Sequence, residues 1–286
     1  MLYDNAAYWT KIHRDLTGTL RSVGFPNLSE RFNELKYASE AETLHAVLQK
    51  LGPDLKLGGA EVRVLDAGAG VGYWTAVMTA ALSHWSFRPA ITALDLSAEG
   101  LAALKQRYPE TNTVQADLTL IQPDRFKRMY DVVMSFYCLH HLPRLEGFTN
   151  ALRFAANSVR RGGILLIMDP ILSMPYSQLD SFDFYSWKGN GIPRHLYLLD
   201  DVLGSQGLTR VDFRPAVSFL LNGNIEARSR LCFTFCRRLW GMLGRIYRRE
   251  KLTSLLSPIL CYTDRVCKKK GWAYSSSLCT YRREIE

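Results

Sequence analysis

The chain has 286 residues, 47% of them hydrophobic, 12% aromatic and 22% charged, which excludes a largely disordered polymer and can fill a sizeable core without disulfide support. Its formal charge is +9, and residues 226–270, with 12 Lys/Arg against 3 Asp/Glu, account for the whole excess. Six cysteines without a CxxC pair exclude a disulfide scaffold and point to a reducing compartment. The first residues are polar and aromatic rather than basic then apolar, and no run reaches the roughly 18–20 apolar residues of a membrane span. The expected location is cytoplasmic, soluble or peripheral at a membrane.

In chain order, the first β-prone run is Val62–Asp66, followed at once by the glycine turn Ala67-Gly68-Ala69-Gly70-Val71-Gly72 and a helical stretch from Tyr73 to Leu82. A second strand, Ala90–Leu94, ends in Asp95. Ser97 then caps a helix over Ala98–Tyr108. Thr113–Ala116 is a third strand ending at Asp117, Tyr130–Ser135 a fourth, Leu145–Val159 a helix, and Gly163–Met168 a fifth strand closed by Asp169-Pro170. Strands that are nearly continuous apolar runs, alternating with helices, predict a parallel sheet covered on both faces. Right-handed crossovers make that sheet doubly wound. Beyond Pro170 the pattern loosens: Leu198–Gln206 reads as helix, Leu208–Val217 as strand and Ser277–Arg282 as a last strand, with the basic segment between the last two.

A glycine turn between strand and helix lets a ligand approach the backbone N–H groups at the positive end of the helix. Dinucleotide binding wants G-x-G-x-x-G, but Tyr73 follows Gly72 directly and the third fingerprint glycine is missing. NAD is therefore disfavoured. Asp66-Ala67-Gly68-Ala69-Gly70-Val71-Gly72 instead resembles the D-x-G-x-G-x-G signature of class I S-adenosylmethionine (SAM)-dependent methyltransferases. Four further blocks stand in register with it: Asp95-Leu96, Ala116-Asp117-Leu118, the fourth strand through Phe136 with Leu139-His140-His141-Leu142, and Arg160-Arg161-Gly162-Gly163-Ile164-Leu165-Leu166. The resemblance covers about Asp4 to Pro170 and is nearest the small-molecule enzymes of the ubiquinone-biosynthesis type.

The resemblance implies a seven-stranded Rossmann-like sheet of order 3-2-1-4-5-7-6, with SAM at the carboxyl ends of the strands. It implies cofactor contacts from Tyr8, Asp66, Ala67, Gly68, Gly70, Asp95, Leu96, Ala116, Asp117, Leu118 and Phe136. Chemistry separates some of these roles: a ribose diol needs acceptors from one carboxylate, hence Asp95, and an adenine amino group needs an acceptor, hence Asp117. Asp66 is expected to offset the charge of the cofactor's amino group. Tyr8 and Trp9 lie in an N-terminal helix that in this family often covers the methionine end, although core packing also accounts for both.

Methyl transfer is an in-line displacement in which the enzyme aligns and desolvates, and a base is needed only when the acceptor atom carries a proton. His141 is the first candidate base and Asp169 the second. The competing reading makes the His140-His141 pair a structural turn and Asp169-Pro170 a strand terminator. Arg194-His195 reads as a solvated loop pair. Ser135-Phe136-Tyr137-Cys138 is not an (Asp/Asn)-Pro-Pro-aromatic box, which removes the most specific sign of nucleobase methylation.

In the basic segment, Arg230, Arg237, Arg238, Arg245, Arg248 and Arg249 fall on one third of a helix circumference. Cys232, Phe235, Leu239, Trp240, Leu243, Ile246 and Tyr247 fall opposite, and Lys268-Lys269-Lys270 follows. Three uses are open: a cap with a solvated cationic face, contact with an anionic membrane, and nucleic-acid binding, for which no module is recognisable. Cys232 and Cys236 lack histidine partners and read as packed thiols rather than metal ligands. The expected layout is one SAM-binding domain: a helical cap over 1–55, the core over 56–221, a basic helical insertion over 222–272 and the last strand over 273–286. The expected activity is methyl transfer from SAM to a small, apolar or lipid-linked acceptor. The alternatives are an RNA methyltransferase and a SAM-binding fold acting as a partner-binding protein.

Overall fold

The computed structural model describes residues 4–51, 61–174, 176–177 and 191–284. Two helices precede the sheet, α1 (Asn5–Asp15) and α2 (Glu30–Leu51). The core then runs β1 (Glu61–Ala67), α3 (Tyr73–His84), β2 (Arg88–Asp95), α4 (Ala98–Arg107), β3 (Asn112–Gln115), β4 (Tyr130–Phe136), α5 (Leu145–Ser158) and β5 (Val159–Asp169). It continues with α6 (Leu196–Gly204), β6 (Leu208–Pro215), the short α7 (Phe219–Asn222), α8 (Arg230–Tyr247), α9 (Glu250–Lys270) and β7 (Ser277–Arg283). The expected boundary between cap and core at 55/56 lies outside the described residues.

The seven strands form one sheet in the order β3-β2-β1-β4-β5-β7-β6. Side chains alternate across it with the period of two that extended backbone imposes. Leu65, Val133, Leu165, Ile167 and Tyr281 join the cluster with α5 and α6, while Val64, Val132, Met134, Leu166 and Met168 join the one with α2 and α3. Each such aliphatic side chain contributes about 1.5–3 kcal/mol on burial, so both faces need a helical cover.

The sheet is not wholly parallel. The strands β1 to β5 pair in parallel, but β7 runs antiparallel to β5 and to β6. The chain leaves β6 and re-enters at the start of β7 at the same end of the strands. Ser277 stands opposite Pro215, and Ala216 N–H donates to the Ser276 carbonyl at 3.0 Å. A strand that starts beside the end of its neighbour must return alongside it.

The basic segment is a pair of helices with a small three-stranded sheet at its base, in which Glu226–Ala227 pairs with Ala273–Tyr274 and with Tyr176–Ser177. In α8, Tyr247 is buried and Cys232, Leu239, Trp240, Leu243 and Ile246 are partly covered, as the expected apolar face requires. Phe235 is not; it is 66% exposed, and Phe233 and Cys236 are buried in its stead. The buried stripe is rotated towards the arginines, so that Arg237 lies over the Phe233 ring at 5.8 Å. In α9, Asp264 accepts from Ser39 Oγ (2.5 Å) and Ser218 N–H (3.0 Å), and Lys268 Nζ donates to Ser39, so α9 is fastened to α2.

Candidate active site

The site begins at the glycine turn. Gly68 has φ +91°, and a β-carbon there would lie 2.4 Å from Cys138 Sγ and 2.5 Å from Cys138 Cβ. The chain therefore passes so close to the end of β4 that no side chain fits. Gly72 caps α3 in the left-handed region. Asp95, at the tip of β2, accepts from Gly70 N–H through Oδ2 and from Ser97 N–H through Oδ1, both at 2.8 Å. Each oxygen keeps a further lone pair. Asp117, just past β3, accepts from the Thr119 N–H (2.8 Å) and hydroxyl (2.7 Å) through Oδ1 alone.

Between these tips opens a cleft of about 720 Å³, inside the range of cofactor sites. One half is walled by Gly68, Asp95, Leu96, Ala116, Asp117 and Leu118, the other by Trp9, Tyr37, Tyr73, Trp74, Phe136 and Tyr137. Helix α1 covers the junction: Asn5 Nδ2 donates to the His141 carbonyl (2.7 Å), and the Trp9 ring meets the His141 ring edge-on at 4.8 Å. His13, on the next turn but one after Asn5, is buried beside Asp95, and burial pulls its pKa down.

Of the residues singled out in the sequence, Gly68, Asp95, Leu96, Ala116, Asp117, Leu118, Phe136 and His141 line this cleft. Four do not. Tyr8 packs edge-on against Trp9, and it is Trp9 that faces the cavity. Ala67 is buried, its carbonyl accepting from Ser135 Oγ at 2.9 Å. Gly70 is committed to Asp95. Asp66 lies beneath the turn, where Thr75 Oγ1 donates to it at 2.6 Å and burial pushes its pKa up to about 7. Its place ties β1 to α3; a counter-charge inside the cleft is not its position.

Asp169 also stands away from the cleft. It is buried, and its Oδ1 bonds His140 Nδ1 at 2.5 Å behind the turn that carries His141. Burial pushes Asp169 up to about 8 and pulls His140 down to about 3, so the pair is neutral overall at pH 7. Asp169 orients the turn. Arg194, read as solvated, donates through Nη2 to the Leu142 carbonyl at 2.8 Å and braces the same turn.

Sequence reasoning passed over Tyr37, Tyr73, Tyr137 and His13 as wall residues. Tyr137 has φ +54°, its hydroxyl donates to Glu40, and it lies 2.7 Å from Ser276 Oγ. Glu40 in turn pairs with Lys36 at 2.8 Å, both buried, and the Lys36 ammonium sits 4.1 Å from the centre of the Tyr137 ring. Nothing short-range in the sequence signals this, because the partners are nearly 100 and 140 residues apart.

The sequence matches the model of the methyltransferase-domain family over residues 33–200. The chain belongs to that family. This methyltransferase matches no curated protein, and among solved structures its fold resembles a "putative sarcosine dimethylglycine methyltransferase" from Galdieria sulphuraria, with 12% identity and a TM-score of 0.53 over 85% of this chain and 86% of that one. A SAM-dependent methyltransferase from Archaeoglobus fulgidus matches at 16% identity and a TM-score of 0.49, over 85% and 94% of the two chains. The fold is that of the class I SAM-dependent methyltransferases, and SAM is the cofactor. The site fits it: a cradle that only glycine permits, a carboxylate with lone pairs on both oxygens at the β2 tip, and a second carboxylate at the β3 tip. Among the described residues no cluster of three or more potential metal ligands occurs.

Proposed function

We propose that the protein methylates a small, apolar or lipid-linked acceptor held in the aromatic half of the cleft. The observation that carries this reading is the wall of Trp9, Tyr37, Tyr73, Trp74 and Phe136 directly beside the glycine turn. Apolar rings offer area to a hydrophobic acceptor and exclude water from the reacting atoms. Asp95 takes the ribose, Asp117 the adenine amino group and Gly68 the close backbone approach. SAM, when bound, supplies an electrophilic methyl group on a sulfonium.

An acceptor hydroxyl or ammonium must lose a proton during this step. Burial pushes Tyr73 to about 12 and Tyr37, Tyr137 and Cys138 above their ordinary values, so these walls keep their protons at neutral pH. His141 is the base we assign, held by Asn5 and Trp9 in front and by the His140–Asp169 pair behind. Incubating the enzyme with fractionated extract and radiolabelled SAM tests the assignment. Label in an organic-extractable small molecule supports it, whereas label in RNA, or in nothing across all fractions, overturns it.

A further inference from the structure

Helix α9 has two faces that oppose each other. It buries Thr253, Ser257, Leu260, Asp264 and Cys267 against the domain. On the outer side run Leu252, Leu255, Ile259, Tyr262 and Val266, spaced three and four apart so that they form one stripe along the helix. They are 37%, 75%, 62%, 70% and 39% exposed. Scattered exposed apolar residues need no explanation, but a continuous row marks an interaction surface. The preceding helix adds Leu231, Phe235 and Met242, at 84%, 66% and 63% exposure.

The charge around the stripe selects the partner. Lys251 stands at one end and Lys269 and Lys270 at the other, all exposed. On α8, Arg238 and Arg245 are exposed and lie within a quarter turn of Phe235 and Met242. The two carboxylates between residues 250 and 270 are both engaged: Glu250 accepts from Arg31 N–H at 3.1 Å, and Asp264 is buried. A second copy packed stripe to stripe brings lysine ends against lysine ends in either direction, three lysines per helix against one exposed acid, Glu250, which opposes pairing. An anionic surface meets the row of apolar groups and its cationic border together. No helix among the described residues is long and apolar enough to cross a membrane, so such contact is interfacial.

We propose that α9, assisted by the exposed edge of α8, docks the protein on anionic lipid bilayers. The docking stands independently of the acceptor reading, although it would bring a lipid-linked acceptor to the cleft. The full chain is mixed with vesicles of phosphatidylcholine alone and of phosphatidylcholine with phosphatidylserine at about three to one, and bound protein is measured by sedimentation. Binding to the anionic vesicles alone, weakened by salt, is the expected result. Replacing Lys251, Lys269 and Lys270 by Gln should lower the partition coefficient about 100-fold, at about fivefold per cation. The pair Ile259→Ser and Tyr262→Ser should abolish binding while leaving thermal unfolding and S-adenosylhomocysteine affinity as in wild type. Wild-type protein that stays in the supernatant overturns the proposal, as does binding indifferent to lipid charge. A dimer in sedimentation equilibrium that the serine pair dissociates also overturns it, by giving the stripe to a second copy.

Discussion

Replacing Asp95 by Asn tests both the cofactor assignment and the local construction of the turn. Each carboxylate oxygen of Asp95 accepts one backbone N–H, from Gly70 and from Ser97, at 2.8 Å. An amide has one oxygen, so in either orientation its NH2 faces one of these donors. A part-buried donor left without an acceptor costs about 1–3 kcal/mol, and the partial access of Asp95 to water puts the expected loss of folding stability near the lower end, about 1 kcal/mol. Binding loses more. Bonds from the ribose hydroxyls to an ionised carboxylate are worth about 1.5–3 kcal/mol each, so losing one and weakening the other should raise the dissociation constant of S-adenosylhomocysteine at least about 30-fold. The Ala variant, which removes both, should cost two to four orders of magnitude by the same arithmetic. Calorimetric titration gives the affinity and denaturant unfolding the stability. An Asn variant with wild-type stability and affinity within about threefold would refute the argument; one destabilised but with unchanged affinity would leave Asp95 as a fastener of the turn only.

Gly68→Ala should lose about 2–4 kcal/mol of stability, from positive φ and from overlap with Cys138; chemical denaturation of the double variant should show Cys138→Gly removing the overlap part of that loss and leaving the positive-φ part, and strictly additive losses would disprove the contact. His141→Ala should lower kcat about 100-fold with S-adenosylhomocysteine affinity unchanged, and near-normal turnover on the identified acceptor would leave His141 as a turn residue. Asp169→Asn should change the pH dependence of stability. Asp169 is raised to about 8 in the folded protein, so the folded state holds a proton that the unfolded state gives up near its ordinary value. That contribution is complete at acid pH and lost as pH rises towards 8, at about 1 kcal/mol per pH unit. The Asn variant should gain relative to wild type across that window; parallel unfolding profiles from pH 5 to 8 would contradict the assigned burial.

The first five strands and the cleft's cofactor half were legible because their signals are local, whereas the strand order came only with the family resemblance. A β-run, a glycine turn and a helix within about twenty residues dictate where Gly68 and Asp95 stand, whatever the rest of the chain does. The antiparallel β7 was not legible from alternation, since its direction depends on where a 60-residue excursion re-enters the sheet. Asp169 shows the same limit at side-chain level. Its position at a strand tip suggested a catalytic base, but whether a tip residue turns into the cleft or behind it is decided by pairing with His140. In α8 the helical wheel found the arginine face, but the buried stripe follows the curvature of the domain and left Phe235 outside.

The aromatic half was the least legible because it is assembled from distant segments, and its assembly links the remaining features of the molecule. Tyr37 comes from α2, Tyr137 from the end of β4, and Ser276, which meets the Tyr137 hydroxyl, from the entry to β7. The buried Lys36–Glu40 pair joins the first two, and Asn222 Nδ2 donates to Ser276 Oγ at 3.0 Å to join the third to α7. Burial alone raises Glu40 and lowers Lys36, so neither charge is stable there without the other, and removing one partner of such a pair costs about 3–5 kcal/mol. One residue before Glu40, Ser39 binds Asp264 and Lys268 of α9. Helix α2 therefore carries the aromatic wall through Tyr37 and Glu40 and the insertion through Ser39. The insertion is thus a bonded extension of the aromatic wall, and a surface that holds α9 also fixes the wall against which we propose the acceptor lies.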